Sequence, residues 1–421
     1  MYESVLARLV GAGQGAKLVN MPSSVGLERT RGLLHSMSST GQHSLTRNVL
    51  HVVGTNGKGT VAWKAGHALH KQHGLKVGLY TSPHLFSLRE RIRINGEPIS
   101  PGEFAELGEL ALASSDGLSS YFELVTCMAL QHFANHECDA VVLEAGMGGL
   151  GDATNVLPEA KVVCLTHVAL DHCRVLGHTL PDICREKLGV VKPNSRVVIG
   201  PSVPRELDGQ IMDQCRTLRA YSVNRLMFPT TSMSVEEENG KVAAACVELF
   251  TTNGQAAALK EDGVRPPCRV ETFVDHLTGK RVVLDVGHNP SALQRVFSEA
   301  GDGNSALVFG IAQDKDLNAC LQVVRAQPWR RVEFTQPHSK ARKFTPPNVL
   351  REILNGEQLP YPVFADKSVS QALRACLLDQ GVAQVVCCGS HALMLEAIIE
   401  VTNAPPALLD PFDTNEQAAA I

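Results

Sequence analysis

The residues Gly54-Thr55-Asn56-Gly57-Lys58-Gly59-Thr60 have the types needed to bind phosphate. A loop of small residues after a strand lets backbone N–H groups approach phosphate oxygens. The N-terminus of the next helix adds positive potential, and Lys58 reaches the outer phosphates. In such a loop Thr60 would hold a magnesium ion. The spacing departs from G-x-x-x-x-G-K-[ST], because two residues separate Gly54 from Gly57 and Gly59 stands between the lysine and the threonine. A glycine-rich turn with a solvated lysine is the plainer alternative. The order strand, loop, helix favours phosphate binding.

Three more residues have chemistry to offer. Glu144 follows Val141-Val142-Leu143 and precedes Gly146, Gly148 and Gly149, so it stands where a strand opens into a loop. Ligands bind at that edge in open α/β sheets. Asp171-His172 follows the next strand-like run in the same way, and Lys187 lies on the helix beyond it. Magnesium prefers oxygen ligands, so Glu144 suits it better than His172 does. A lysine ammonium near that ion would be repelled unless it lost its proton or became an anion. Singly, His172 reads as a turn cap and Lys187 as a solvated helix residue; the glycine loop shifts the balance toward function.

Positioning these groups requires alternating elements. Strand-like runs are expected at 49–53, 76–81, 140–143, 162–166 and 196–199, with helical spacing from Lys58 to about Gln72, Tyr121 to Ala134 and Leu180 to Leu188. After a weak stretch ending at Pro266-Pro267, strand-like runs resume at 281–286, 306–309, 332–334 and 385–388. The fold class expected is α/β: a P-loop-type, mostly parallel sheet domain over 1–274, then a smaller Rossmann-like α/β domain over 275–421. With 39 basic and 43 acidic residues among 421, the net charge of −4 provides no broad field for a nucleic acid. No apolar run approaches the ~20 residues of a membrane span, and none stands at the N-terminus. The 12 cysteines contain no C-x-x-C pair, which points to free thiols in a reducing compartment. A cytoplasmic chain is expected, with a mitochondrial form left open.

Further runs carry a family likeness. They include Tyr80-Thr81-Ser82-Pro83-His84-Leu85, Arg89-Glu90-Arg91-Ile92-Arg93-Ile94-Asn95-Gly96, Leu143 to Gly149 and Asp152-Ala153-Thr154-Asn155. Ala169 to His172, Arg185-Glu186-Lys187, Leu284 to Pro290, Asp314-Lys315-Asp316 and Gly389-Ser390 continue it. With the glycine loop, these resemble folylpolyglutamate synthase and dihydrofolate synthase of the Mur ligase group, in the family's own order along nearly the whole chain. The resemblance implies ATP-dependent amide formation between a folate carboxylate and L-glutamate through an acyl phosphate. It implies a cleft between two domains, catalytic roles for Lys58, Lys187, His172 and His288, and nucleotide contacts from Asn56, Gly57, Lys58, Gly59, Thr60, Asn239, Arg269, Asp285 and Asn289. Two magnesium sites are implied, drawn from Thr60, Ser82, Glu144 and His172. Lys187 would be carbamylated, and a monovalent cation would be a further cofactor. Folate contacts fall on Phe122, Glu123 and Asp152, and Ser390 would meet glutamate beside His288. The partners implied are a reduced folate or dihydropteroate, L-glutamate and ATP, bound by a monomer.

The chain also departs from the family's pattern. Leu150 and Gly151 stand where relatives have arginine and leucine, Pro266-Pro267-Cys268 replaces tryptophan-proline-glycine, and Val235-Glu236 replaces a histidine-glutamine pair before Asn239. Arg330, Arg331, Lys340, Arg342 and Lys343 would attract a polyglutamate tail or form a solvated face. Two other readings are another Mur-type amino-acid ligase and a nucleotide-binding protein without ligase activity.

Overall fold

The computed structural model describes residues 2–12, 23–38, 48–228, 233–251, 265–338, 343–355 and 359–403. Two compact units divide the chain: Met1–His84 with Leu88–Pro266, and Pro267–Ile421 with Leu85–Ser87.

The first unit is built on eight strands: β1 (Val49–Val53), β2 (Val77–Tyr80), β3 (Ile92–Ile94), β4 (Glu97–Pro98), β5 (Ala140–Glu144), β6 (Val162–Leu165), β7 (Arg196–Ile199) and β8 (Ser222–Arg225). They lie in the order β4-β3-β2-β5-β1-β6-β7-β8. From β2 across to β8 every pairing is parallel, and only β3 and β4 run antiparallel at one edge. Every residue of β1, β2, β5 and β6 is buried, and apart from His51 and Glu144 these strands carry no imidazole, carboxylate or other charged side chain, as strands covered on both faces require. Leu50, Val52, Val142 and Cys164 pack on one face against helices Lys58–Lys71 and Val235–Thr251. Val53, Val163, Leu165 and Val197 pack on the other against helix Leu180–Leu188. Register decides the rest. Val52 pairs with Glu144 and Val53 with Leu165, so the loops after β1, β5 and β6 open on one sheet edge.

The second unit has six strands: β9 (Glu271–Val274), β10 (Arg281–Leu284), β11 (Ser305–Phe309), β12 (Arg331–Phe334), β13 (Val363–Phe364) and β14 (Gln384–Cys388), ordered β13-β12-β11-β14-β10-β9. All pairings are parallel except β9 with β10. Residues 271–274 hydrogen-bond to β10, with Glu271 opposite Leu284 and Val274 opposite Arg281, and this compact unit takes up the chain at Pro267, ahead of the expected 275. All twelve cysteines are free. Cys387 and Cys388 are neighbours on one strand and so point to opposite faces, into separate cores. No described helix is long and apolar enough to cross a membrane.

Candidate active site

The glycine loop leaves β1 and is clamped to the segment after β6. The Thr55 N–H donates to the His167 carbonyl at 2.8 Å, and the Thr166 hydroxyl donates to the Asn56 carbonyl at 2.6 Å. Thr55 Oγ1 donates to Ala169 O and accepts from Ala169 N, both at 3.1 Å. Space explains Gly54: a Cβ there would stand 2.0 Å from Thr166 Oγ1. Gly57, at φ +82°, opens helix Lys58–Lys71, and a Cβ on it would lie 2.6 Å from Asn239 Oδ1. Asn239, which the sequence assigned to the nucleotide by resemblance alone, is thus buried against the loop. No side chain caps this helix, in contrast to the helices capped by Ser100, Ser120 and Thr179. Its N-terminus keeps the positive potential that favours anions.

Glu144 ends β5, nearly fully buried, with its carboxylate over the same turn: a Cβ on Gly59 would be 3.2 Å from Oε2. The Ser82 N–H donates to Oε2 at 2.8 Å. Glu144 thus lies against both the first turn of helix Lys58–Lys71, which carries Thr60, and the Ser82 backbone. Lys187 is buried, and its Nζ donates to the Gly54 carbonyl at 3.0 Å. Burial first, then the positive charge of Lys58, brings its pKa down to about 7, with Asp171 opposing. The expectation of a solvated helix residue fails here, because the register of helix Leu180–Leu188 turns Lys187 inward under the loop. His172 takes φ +51° before the short helix Cys173–Leu176 without a side-chain cap bond. Its ring is 37% exposed and 3.8 Å from Asp171.

The expected folate residues have protein partners of their own. Phe122 lies on the glycine loop after β5, where a Cβ on Gly146 would come within 2.5 Å of its ring, and its centroid is 6.0 Å from that of Tyr80. Glu123 accepts from the Ser120 N–H at 2.6 Å, closing a capping box, and its Oε1 takes Arg29 Nη2 at 2.6 Å. Asp152 accepts from the N–H groups of Met147 at 2.8 Å and Thr154 at 3.0 Å, and from the Thr154 hydroxyl at 2.5 Å. Thr154 in turn meets His51 Nε2 at 2.8 Å. Burial pushes the His51 pKa down to about 3 and the Asp152 carboxyl up. Buried carboxylates demand such partners: Glu123 ties its helix to Arg29 of helix Ser23–Met37, and Asp152 holds the loop after β5. Sequence reasoning missed Arg29, which no motif marks. It also missed the role of Arg91, a nearly fully buried side chain whose Nε donates to His84 Nδ1 at 2.9 Å.

In the second unit, the Asp285 carboxylate takes the N–H groups of Val270 at 2.9 Å and Gly287 at 2.6 Å; burial raises its pKa, and Arg269 opposes. Asn289 caps helix Pro290–Ala300 through the Ala292 N–H. The His288 ring meets the Val286 carbonyl at 3.0 Å, and the buried Ser390 caps the turn His391–Leu393. Arg331, expected on a basic face, pairs with Glu333 and Asp379, and Lys340 and Arg342 lie outside the described residues.

No family model matches the chain. A folylpolyglutamate synthase from Lacticaseibacillus casei is 39% identical over 336 residues, covering 68% of this chain and 76% of the relative. The chain belongs to the folylpolyglutamate and dihydrofolate synthase family. Escherichia coli FolC, solved in complex with DHPP and ADP, superposes with a TM-score of 0.78 at 25% identity, over 96% of this chain and 98% of FolC. A bifunctional folylpolyglutamate synthase/dihydrofolate synthase with Mn, AMPPNP and L-glutamate bound gives 0.70 at 25%, over 91% and 99%. Departures from the folylpolyglutamate synthase pattern have local accounts. Glu236 pairs with Lys64 at 2.6 Å, tying helix Val235–Thr251 to the helix after the loop. Cys268 is buried at φ +55°, a backbone region that favours glycine, with its N–H on Glu271 Oε2 at 2.7 Å. Leu150 is 45% exposed.

Proposed function

We propose that this ATP-dependent ligase joins L-glutamate to a folate through an acyl phosphate assembled at the loop after β1. The supporting observation is that Glu144 and the low-pKa Lys187 both lie against residues 54–60, the loop that carries Lys58. A carboxylate acylates poorly because oxide is its leaving group. Transfer of the ATP γ-phosphoryl group to a carboxylate oxygen breaks the bond to ADP and creates a phosphate leaving group. The glutamate amine then attacks the carbonyl carbon, the C–O bond to phosphate breaks, and the nitrogen loses a proton. Backbone N–H groups at the start of helix Lys58–Lys71 hold the phosphates, and Lys58 offsets charge on the transferring group.

Thr60, Ser82 and Glu144 would hold a divalent cation, and His172 with Glu144 a second. The cation would neutralise charge between phosphates. Lys187 is suited to carbamylation, which needs a neutral amine: at a pKa of about 7 roughly half the side chains are neutral at pH 7, against about one in 3,000 for an ordinary lysine. A carbamate, being an anion, would attract the cation that the ammonium would repel. The purified chain with ATP and Mg²⁺ is expected to release ADP only when a reduced folate and L-glutamate are both present. No glutamate-dependent ADP with any folate would overturn the reading. Dihydropteroate in place of the folate separates one activity from two, the second being the one named for the bifunctional relative.

A further inference from the structure

Glu103, His132 and His136 form a cluster that the ligase reaction does not use. His132 and His136 are one turn apart at the end of helix Tyr121–Asn135, with His136 its C-cap, and Glu103 comes from the first turn of helix Pro101–Ser114. One ligand atom from each lies within 4.8 Å of the others. Glu103 Oε1 is 2.7 Å from His136 Nε2 and 4.0 Å from His132 Nδ1, and the imidazole centroids are 4.5 Å apart. A tetrahedral ion with ligands at 2.0–2.2 Å spaces its ligand atoms about 3.3 Å apart. The two separations from Glu103 bracket that value and the third, between the imidazole nitrogens, is at most 4.8 Å, so side-chain shifts of about 1 Å bring all three atoms onto one ion. The second Glu103 oxygen accepts from Ser100 Oγ at 2.6 Å, the outer support that ligating carboxylates receive. The His132 side chain is only 4% exposed. Glu103 and His136 are each 39% exposed, which leaves a path from solvent.

We propose that Glu103, His132 and His136 bind a divalent transition ion of the zinc class, with water at the fourth position, and so tie helix Pro101–Ser114 to helix Tyr121–Asn135. Two imidazoles exclude Mg²⁺ as the preferred occupant, because that ion selects oxygen. The site is thereby distinct in chemistry from the oxygens of Thr60, Ser82 and Glu144. The test is calorimetric titration of the chelator-treated full chain with Zn²⁺ in excess Mg²⁺. One binding event is expected that His136→Ala and Glu103→Gln each weaken at least tenfold, while circular dichroism and glutamate-dependent ADP release stay unchanged. Zn²⁺ should raise Tm for the parent chain and not for His136→Ala. Co²⁺ should give the visible absorption of a four- or five-coordinate ion only in the parent. Zinc binding unaltered in both variants, or no zinc event in the presence of Mg²⁺, overturns the proposal and leaves a His–Glu pair bridging two helices.

Discussion

Replacing Lys187 by methionine should stabilise the first unit while removing activity. In the unfolded chain this lysine titrates at its ordinary 10.5, whereas in the fold burial and Lys58 hold it at about 7. At 1.36 kcal/mol per pH unit the difference is roughly 5 kcal/mol, an order-of-magnitude figure for a group with almost no solvent contact. Below pH 7 both states are protonated and the fold bears the whole cost of burying an ammonium. Between pH 7 and 10.5 the unfolded chain binds more protons, so the stability of the parent rises with pH. Methionine removes the ammonium but leaves the Gly54 carbonyl without its donor, at a cost of about 1–3 kcal/mol. Lys187→Met should therefore be more stable than the parent by about 2–4 kcal/mol at pH 6 and draw level near pH 9. The assay is urea unfolding at pH 6, 7.5 and 9 in CO₂-free buffer. A Trp329→Phe background leaves Trp63 to report on the first unit. Glutamate-dependent ADP release, measured in parallel, should fall strongly. A variant less stable than the parent by the same margin at all three pH values would refute the inference that Lys187 is a buried, strained cation.

Two further substitutions test the loop itself. Lys58→Ala should lower kcat by about 10²–10³ with a smaller change in the folate KM, because its charge acts on the transferring phosphoryl group; kinetics at saturating ATP decide this. The same change should raise the Lys187 pKa, since Lys58 holds it down, and ¹³CO₂ labelling followed by NMR should show the carbamate forming at higher pH. Gly54→Ala should cost about 1–3 kcal/mol in stability and weaken binding of a non-hydrolysable ATP analogue, because the added Cβ meets Thr166 Oγ1 at 2.0 Å. Unfolding and calorimetry check the two effects separately.

The sequence by itself determined the local chemistry and the element order. β1, β6 and β7 are legible because strands buried on both faces must be largely apolar, and the glycine loop is legible because phosphate binding needs small residues at a helix start. Motif order also carried the family, since it extends along nearly the whole chain. Tertiary structure decided what each polar side chain touches. Lys187 reads in one dimension as an ordinary helix lysine, and only the packing of its helix under Gly54 takes it out of water and lowers its pKa. What surrounds Glu123 and Asp152 is likewise set by the fold: Arg29, lying 94 positions from Glu123, and the backbone N–H groups around Asp152 hold their carboxylates. β9 takes β10 as its partner, and the second unit takes up the chain at Pro267. Glu103 and His136 meet across 33 positions that no motif connects. Periodicity and loop chemistry act between near neighbours and are written in sequence; desolvation and charge pairing depend on distance in space, which only the fold sets.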